Sequence, residues 1–256
     1  MTTRPPDAAL DIAVNLLKNA RHAVVLTGAG SSTPSGIPDF RSTGSGLWTR
    51  FLPMEVASLS TFRYKPERFF EWLRPLASHM LNARPNPAHI ALAKLEMKGY
   101  LKTVITQNID GLHQRAGSSH VLEVHGTLNT LTCIGCYQQY SSADFIDAYI
   151  DLGEIPRCLD CQKILKPDVV LFEEQLPAKI WLNARQSCEN CDVMIVAGSS
   201  LEVMPVAGLP AKAAEKNAKI IVINKSETYI DDQATAVLNG DVSDIIPAIA
   251  AKLIDD

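Results

Sequence analysis

The chain has 256 residues, enough for one large domain or for one domain with a small insert, and for a substantial core. Its formal net charge of −4 gives no overall basic field of the kind that favours nucleic-acid binding. No apolar stretch reaches the roughly 18 residues that a membrane-spanning helix needs, and the polar N-terminus is unlike a signal peptide. We therefore expect a cytoplasmic, monomeric globular protein that binds neither membranes nor nucleic acid directly.

Short apolar runs alternate along the chain with stretches of helix-like apolar spacing, which predicts an α/β fold. Six of these runs are typical of the buried strands of a parallel sheet, because such strands are apolar on both faces. The six predicted strands are Ala23–Leu26, Thr103–Thr106, Val121–Val124, Val169–Phe172, Val193–Ala197 and Ile220–Ile223. Helices are predicted over residues 7–20, 87–98, 210–217 and 242–253, with several short ones between residues 52 and 80.

The residues that follow these runs are small or polar. Glycines follow the first and fifth runs, amides and a carboxylate follow the second, and His125 follows the third. Ligands of open α/β sheets lie beyond the carboxyl ends of the strands. We therefore expect these groups to meet in one crevice, although about 200 residues of chain separate the first from the last.

The turn Gly28-Ala29-Gly30 after the first strand is typical of phosphate-binding loops, in which a following helix directs N–H donors at a pyrophosphate. Alone it is a weak signal, because Thr33 replaces the third glycine and no acidic residue ends a second strand about 20 residues later. The next segment, Ser35–Arg41, offers an aromatic ring, a guanidinium and a carboxylate together, which is unusual for an ordinary surface loop.

The six cysteines form three C-x-x-C pairs. The first two pairs, Cys133 with Cys136 and Cys158 with Cys161, have the spacing of a zinc ribbon, and four thiolates would fill a tetrahedral, structural site. A coincidental pair of knuckles is the alternative. For the third pair, Cys188 and Cys191, a redox function is possible, but a helix end that enters a buried strand is the favoured interpretation.

Several strings of the sequence resemble, in the same order, those of the sirtuin family of NAD-dependent protein deacylases. The matching strings are Gly28–Ser32, Gly36–Arg41, Thr106–His113, His125-Gly126, the first four cysteines, Lys166–Val170, Gly198–Leu201 and Val222–Asn224. The resemblance implies a Rossmann-like parallel sheet with helices on both faces, plus a small domain made of a zinc ribbon and a helical insert. The implied large domain comprises residues 1–46, 84–130 and 165–256, and the small domain comprises residues 47–83 and 131–164.

The resemblance also implies the function of individual residues. The implied catalytic residues are His125 as general base, Asn108 and Asp110. The residues implied to bind NAD are Gly28, Ala29, Gly30, Ser31, Ser32, Asp39, Phe40, Arg41, Gln107, Asn108, Ile109, Asp110, Gly198, Ser199, Ser200, Asn224, Lys225, Asp241 and Val242. An acylated peptide would lie as an added strand between Val169, Val170, Leu171 and Phe172 on one side and the edge Leu201–Pro205, which includes Glu202 and Val203, on the other. One structural zinc ion would be held by Cys133, Cys136, Cys158 and Cys161.

Two departures from the family pattern matter. Glu173 stands where the family usually has glycine, so a positive φ at that position would strain the turn. The Tyr-x-x-Arg pair of desuccinylase-type members is absent around Phe69–Leu76, which predicts neutral acyl groups because an unpaired buried carboxylate is costly. Acetyl is expected first, with longer apolar chains possible.

Three other functions compete with lysine deacylation. Transfer of ADP-ribose to a protein would use the same NAD site. A zinc-ribbon nucleic-acid module is disfavoured, because Arg157 is the one basic residue between the outer cysteines. A non-catalytic NAD sensor is disfavoured because it would need no base such as His125. His113 is expected to be structural.

Overall fold

The structure is a computed structural model that describes residues 7–39, 46 and 49–254. The strands are β1 (Ala23–Thr27), β2 (Thr103–Thr106), β3 (Val121–Glu123), β4 (Gly126–Cys133), β5 (Gln139–Ser141), β6 (Leu165–Val169), β7 (Val193–Ala197), β8 (Lys219–Asn224) and β9 (Ala236–Asn239). The helices are α1 (Asp7–Asn19), α2 (Pro53–Val56), α3 (Leu59–Tyr64), α4 (Pro66–Asn82), α5 (Pro87–Met97), α6 (Leu112–Arg115), α7 (Ala178–Asn190), α8 (Leu209–Glu215) and α9 (Val242–Ile254). None of these helices combines the length and apolar character that crossing a bilayer requires.

The main sheet is parallel, has six strands, and is ordered β3-β2-β1-β7-β8-β9. All five residues of β1 and all five of β7 are buried, as expected for central strands that are covered on both faces. Helices α1, α5 and α9 pack against one face of the sheet. Helices α7 and α8 pack against the other, so the predicted arrangement of helices on both faces is confirmed.

Five of the six predicted runs are strands of this sheet, and the fourth prediction is wrong. The segment Val169–Phe172 begins at the last residue of β6 and continues beyond it, and β6 lies in a separate antiparallel sheet of order β5-β4-β6. The residues of β6 alternate between buried and half-buried, the period of a strand with one covered face. The sixth parallel strand, β9, was missed because its run of four residues is short and ends at the exposed Asn239.

The second sheet and helices α2–α4 form a smaller module beside the main sheet. Helix α4 has 17 residues and is longer than the short helices predicted there, because its apolar face packs into one aromatic core. Phe62, Phe69 and Phe70 meet edge to face in that core, with ring centroids 5.1 to 6.1 Å apart. Strand β4 crosses the predicted domain boundary at residue 130, and the domain division itself stays a prediction.

Candidate functional site

Two adjoining cavities open at the carboxyl ends of the parallel strands. The larger, of about 1010 Å³, is lined by the residues after β1, β7 and β8. The smaller, of about 740 Å³, lies between the residues after β2 and β3, helix α4 and the segment after β6. Ala29, Gln107 and Val203 line both cavities, so the two form one continuous cleft.

The glycines of the cleft allow two turns to pack backbone against backbone. The amide of Gly30 donates a hydrogen bond to the carbonyl of Gly198 at 2.8 Å. A Cβ on Gly30 would lie 2.8 Å from that carbonyl oxygen. Gly198 has φ +61°, and a Cβ there would overlap the amide nitrogen of Ser31. Side chains are therefore excluded, and the backbone forms the floor of the larger cavity.

The segment after the first glycine turn lacks the helix of a typical phosphate-binding loop over the described residues 28–39. Two short 3₁₀ turns, Ala29–Ser31 and Thr33–Ser35, follow β1 instead, and no longer helix occurs within the described residues 28–39. The third glycine that would allow close packing of such a helix is replaced by Thr33, whose hydroxyl donates to the carbonyl of Gly30. Any phosphate here would meet turn amides rather than the end of a long helix.

The amide and carboxylate after β2 are fixed by hydrogen bonds to the glycine turn. The Asn108 side-chain amide donates to the Gly28 carbonyl and to the hydroxyls of Ser31 and Ser32, each at 3.0 Å. The Ser32 hydroxyl donates to Asp110 Oδ2 at 2.7 Å, and the Leu112 amide donates to Asp110 Oδ1 at 2.9 Å. Asp110 is buried and lines the smaller cavity beside Asn108 and Ile109.

His125 lies between the end of β3 and the start of β4, and it lines the smaller cavity. Its Nδ1 is 3.1 Å from the carbonyl oxygen of Gln107. A carbonyl only accepts, so Nδ1 carries a hydrogen, and in the neutral ring Nε2 then has the lone pair. The next residue, Gly126, has φ +78°, and a Cβ there would overlap the carbonyl oxygen of Asp168. Glycine is thus required to bring β4 against β6 directly after the histidine.

Two buried histidines lie behind Asp110. The rings of His89 and His113 have centroids 4.7 Å apart, and His113 Nε2 is 2.9 Å from the Thr27 hydroxyl. Burial lowers the pKa of His89 to about 4 and the pKa of His113 to about 3, so both are neutral near pH 7. His113 therefore has the expected structural surroundings, within the buried support of the site.

Most residues implied to bind NAD line the cleft. Those on the larger cavity are Gly28, Ala29, Gly30, Asp39, Gln107, Gly198, Ser199, Ser200, Asn224, Lys225 and Val242. Those on the smaller cavity are Ala29, Ser32, Gln107, Asn108, Ile109 and Asp110. Ser31 and Asp241 line neither cavity. The Ser31 hydroxyl donates to the carbonyl of Gly28, and the Asp241 carboxylate pairs with the Lys225 ammonium at 2.7 Å. Phe40 and Arg41 lie outside the described residues.

The segment implied to bind a peptide lines the smaller cavity at Val169, Val170, Leu171 and Phe172. On the opposite side Val203 lines both cavities and Glu202 the larger one, whereas Leu201 is buried in the core and lines neither. Four lining residues that follow the first segment were missed, namely Glu173, Glu174, Gln175 and Leu176. The bounds of that segment were therefore too narrow, whereas Met204 and Pro205 line the cavity within the predicted edge Leu201–Pro205.

Glu173 adopts the positive φ that the family's usual glycine would favour. Its φ is +76°, and the amide of Glu174 donates to the carbonyl of Leu171 at 3.0 Å. Glu173 is therefore at the third position of a four-residue turn, where a positive φ favours glycine. The positive φ on which the predicted strain depends is therefore present at this residue.

Apolar side chains of helix α4 form the wall of the smaller cavity. They are Phe69, Trp72, Leu73, Leu76 and Met80. None of the described lining residues is Lys or Arg. The nearby guanidinium of Arg74 is engaged elsewhere, where Nε donates to the carbonyl of Ile150 at 2.8 Å. The described lining of the smaller cavity therefore offers no Lys or Arg to receive an acidic group.

The first four cysteines converge at one end of the small sheet. Their sulfurs all lie within 4.8 Å of one another, with Cys133 to Cys161 at 3.4 Å and Cys136 to Cys158 at 3.5 Å. A tetrahedral zinc–thiolate site with Zn–S of about 2.3 Å has sulfurs about 3.8 Å apart. The amides of Gly135 and Cys136 also point at the Cys133 sulfur, as in a metal-binding knuckle. The four residues fit a zinc ion.

The third cysteine pair is unsuited to redox chemistry. Cys188 and Cys191 are buried between the end of α7 and the start of β7, as the favoured interpretation predicted. Burial raises the pKa of each thiol to about 12, which suppresses the reactive thiolate.

Comparisons with known proteins give one consistent result. Residues 28–205 match the model of the Sir2 family. The NAD-dependent protein deacylase 2 of Archaeoglobus fulgidus is 43% identical over 242 residues, which are 94% of each chain. The NAD-dependent protein deacetylase of Thermotoga maritima is 42% identical over 90% of this chain and 92% of its own. A solved complex of a Sir2 protein with a p53 peptide and NAD⁺ has a TM-score of 0.85 at 39% identity, covering 94% of this chain and 96% of its own.

Proposed function

This chain belongs to the Sir2 family, and on that premise we propose how its cleft removes acyl groups from protein lysines with NAD. It is an NAD-dependent protein lysine deacylase. The acyl group passes from the lysine side chain to the ADP-ribose of NAD, and nicotinamide is released. NAD, when bound, supplies the sugar carbon to which the acyl oxygen bonds as nicotinamide leaves. The remaining steps depend on groups of the protein.

The larger cavity holds the adenosine and phosphates of NAD in this proposal. The backbone floor formed by Gly28, Gly30 and Gly198 allows a pyrophosphate to approach without side-chain contact. Asn224 lies at the end of β8 and is oriented by its amide, which donates to the carbonyls of Ser199 and Ser226. It is placed to contact the adenosine ribose.

The smaller cavity holds the nicotinamide and the acylated lysine. Asp110 would accept from the nicotinamide carboxamide, because the hydrogen bonds from Ser32 and Leu112 keep its carboxylate turned into the cavity. Asn108 and Gln107 would orient the sugar. Gln107 is itself fixed by donation to the Ser199 hydroxyl at 2.8 Å, which joins the ends of β2 and β7.

His125 is the general base, and the hydrogen bond at Nδ1 is the observation that carries this assignment. It fixes the neutral tautomer whose Nε2 accepts a proton. A ribose hydroxyl bound beside Gln107 would be the donor. Once protonated, the ring keeps its Nδ1–H bond to the Gln107 carbonyl, so no rearrangement is needed during proton transfer.

The acylated peptide lies along the segment Val169–Phe172 as an added strand, before the turn at Glu173. The amides of Val170, Leu171 and Phe172 already donate to His125, to Glu174 Oε2 and to Ala57. The carbonyl oxygens of the segment therefore serve as acceptors for the peptide, since each has a second lone pair. This pairing gives affinity with little choice of sequence.

One zinc ion has a structural function in this proposal. The four cysteine sulfurs fill a tetrahedron and leave no position for water, so the ion would tie β4 to the loop before β6. We expect the enzyme to act as a monomer in the reducing cytoplasm, where the thiols remain available as ligands.

The deciding experiment incubates the chain with NAD and a panel of acyl-lysine peptides and follows the products by mass spectrometry. Deacylated peptide, nicotinamide and acyl-ADP-ribose are expected in equal amounts. His125→Ala should still bind NAD and peptide but release nicotinamide at least about 100-fold more slowly. Unchanged turnover in this variant would remove His125 from the mechanism, and ADP-ribose attached to protein without acyl-ADP-ribose would indicate the competing transfer reaction.

A further inference from the structure

Glu173 has a conformation that glycine would adopt with less strain, yet a carboxylate side chain stands there. The function of this carboxylate rests on the proposed function of the cleft. The residue lies in the turn that ends the peptide-binding segment, with φ +76°. A residue with a Cβ is disfavoured at such an angle, so the surrounding structure must hold it. The side chain provides the contact that does so.

The Glu173 carboxylate connects the turn to the helical module. Its Oε2 accepts a hydrogen bond of 2.8 Å from the amide of Ser60, the second residue of α3. This bond continues a short backbone pairing, in which the amide of Phe172 donates to Ala57 and the amide of Leu59 donates to Phe172, each at 3.0 Å. Glycine could adopt the turn but could not make the third contact.

The same turn is also fixed to strand β6. Glu174 accepts from the amide of Leu171 and pairs with Lys166 at 2.9 Å, and the Lys166 ammonium also donates to the carbonyl of Val169. Glu174 thus holds the turn to β6, and Glu173 holds it to α3. The segment between them is the one against which the acylated peptide is proposed to lie.

We propose that Glu173 is a positioning residue for the acylated peptide, which acts by fastening the turn after Val169–Phe172 to the first turn of α3. The carbonyl oxygens of the segment can receive an added strand only while the backbone stays extended and in register. Loss of the Ser60 contact frees the turn to relax from its strained angle. Peptide affinity should then fall while NAD affinity stays unchanged, because the larger cavity, proposed to bind NAD, is lined by the turns after β1, β7 and β8.

Three substitutions separate the contact from the strain. Glu173→Ala removes the acceptor and keeps a Cβ, Glu173→Gly removes both, and Glu173→Gln keeps an acceptor oxygen. We expect the alanine and glycine variants to raise the KM for acetyl-lysine peptide about threefold to tenfold, the effect of losing one ordinary hydrogen bond, because this bond is exposed to solvent. The KM for NAD and the kcat should stay within about twofold of the wild type, and Glu173→Gln should retain most of the peptide affinity.

Two matched controls are available. Glu215→Ala removes an exposed carboxylate at the end of α8, and Asn217→Gly relieves a positive φ of +66° outside the cleft. Neither should change the KM for peptide. Amide hydrogen exchange gives a direct readout, since the Ser60 amide should exchange faster in the alanine and glycine variants but not in Glu173→Gln.

The proposal is overturned if glycine restores the wild-type KM, because strain alone would then explain the residue. It is also overturned if glutamine behaves like alanine, or if all three variants match the wild type. A wild-type protein that deacylates no peptide would instead refute the proposed function. The Ser60 exchange rates would still show in that case whether the contact exists.

Discussion

Lowering the pH from 7 to 5 should destabilise the fold through the two buried histidines behind Asp110. The pKa of His89 is lowered by burial to about 4 and that of His113 to about 3, whereas an unfolded histidine has a pKa of about 6.5. Between pH 6.5 and pH 4 the unfolded chain therefore binds protons that the folded chain does not, and the free energy of unfolding falls with the pH. At about 1.4 kcal/mol per pH unit, the loss by pH 5 is about 2 kcal/mol for each histidine.

Other shifted groups leave this pH window largely to the histidines. Hydrogen bonds hold the pKa values of Asp192 and Asp241 below their ordinary range, so their stabilisation is lost only as the pH falls below about 4. Burial raises the pKa of Glu123, which works in the opposite direction, because the folded state then gains protons as the pH falls. The pair should therefore dominate with a total loss of up to about 4 kcal/mol.

Urea unfolding at pH 7, 6, 5.5 and 5 measures this slope, with bound zinc determined in the same samples because thiolates also take up protons as the pH falls. His89→Gln should remove about half of the slope, because it removes one of the two buried rings. A free energy of unfolding that stays constant from pH 7 to pH 5 would refute the reasoning. Imidazole NMR signals of both buried rings that titrate near pH 6.5 would refute it equally.

Three further predictions test other parts of the molecule. Cys133→Ser should lose the zinc and lower the Tm, whereas the buried Cys188→Ser should keep the metal; metal analysis and thermal melts distinguish them, and a native protein without zinc would contradict the proposed site. Gly198→Ala should weaken NAD binding at least about tenfold in calorimetry, because its Cβ would overlap the Ser31 amide, while Gly208→Ala, with no atom nearer than 3.7 Å, serves as control. Succinyl-lysine peptide should be used at least about 100-fold less well than acetyl-lysine peptide in kcat/KM, because its carboxylate would be buried without a cation; comparable rates would show that a cation reaches the cavity.

The layout of the site was largely predictable because it follows from strand direction. Residues that end parallel strands must lie at one edge of the sheet, so Gly28, Asn108 and Gly198 could be placed together without knowledge of the loops between them. The zinc-type cysteines were predictable for a different reason, since each knuckle is local and its spacing sets the geometry. His125 followed from its place at the end of a strand and beside a glycine.

The contacts that hold the site could not be predicted, because they join distant parts of the chain. Asn86 directly precedes the predicted helix 87–98, and its side-chain amide donates to the Ser31 carbonyl and so ties α5 to the first glycine turn. His89 carried no signal beyond its position in that predicted helix. For Glu173 the missing glycine predicted the strain, but its partner Ser60 lies 113 residues earlier. A local rule predicts a local conformation and leaves its partner unknown.

The two halves of the cleft are stabilised in different ways, and this difference determines which substitutions should affect which substrate. The half proposed to bind NAD is joined by contacts among the parallel strand ends, such as Gln107 with Ser199 and Asn108 with Gly28, all supported by one buried sheet. The half proposed to bind the peptide depends on a turn held between the small sheet and the helical module through Glu174 and Glu173. Substitutions at the strand ends should therefore weaken NAD binding and, through His125, slow the reaction itself. Substitutions in the turn should weaken peptide binding alone. Variants of the strand ends and variants of the turn should therefore differ in which KM they change, that for NAD or that for the peptide.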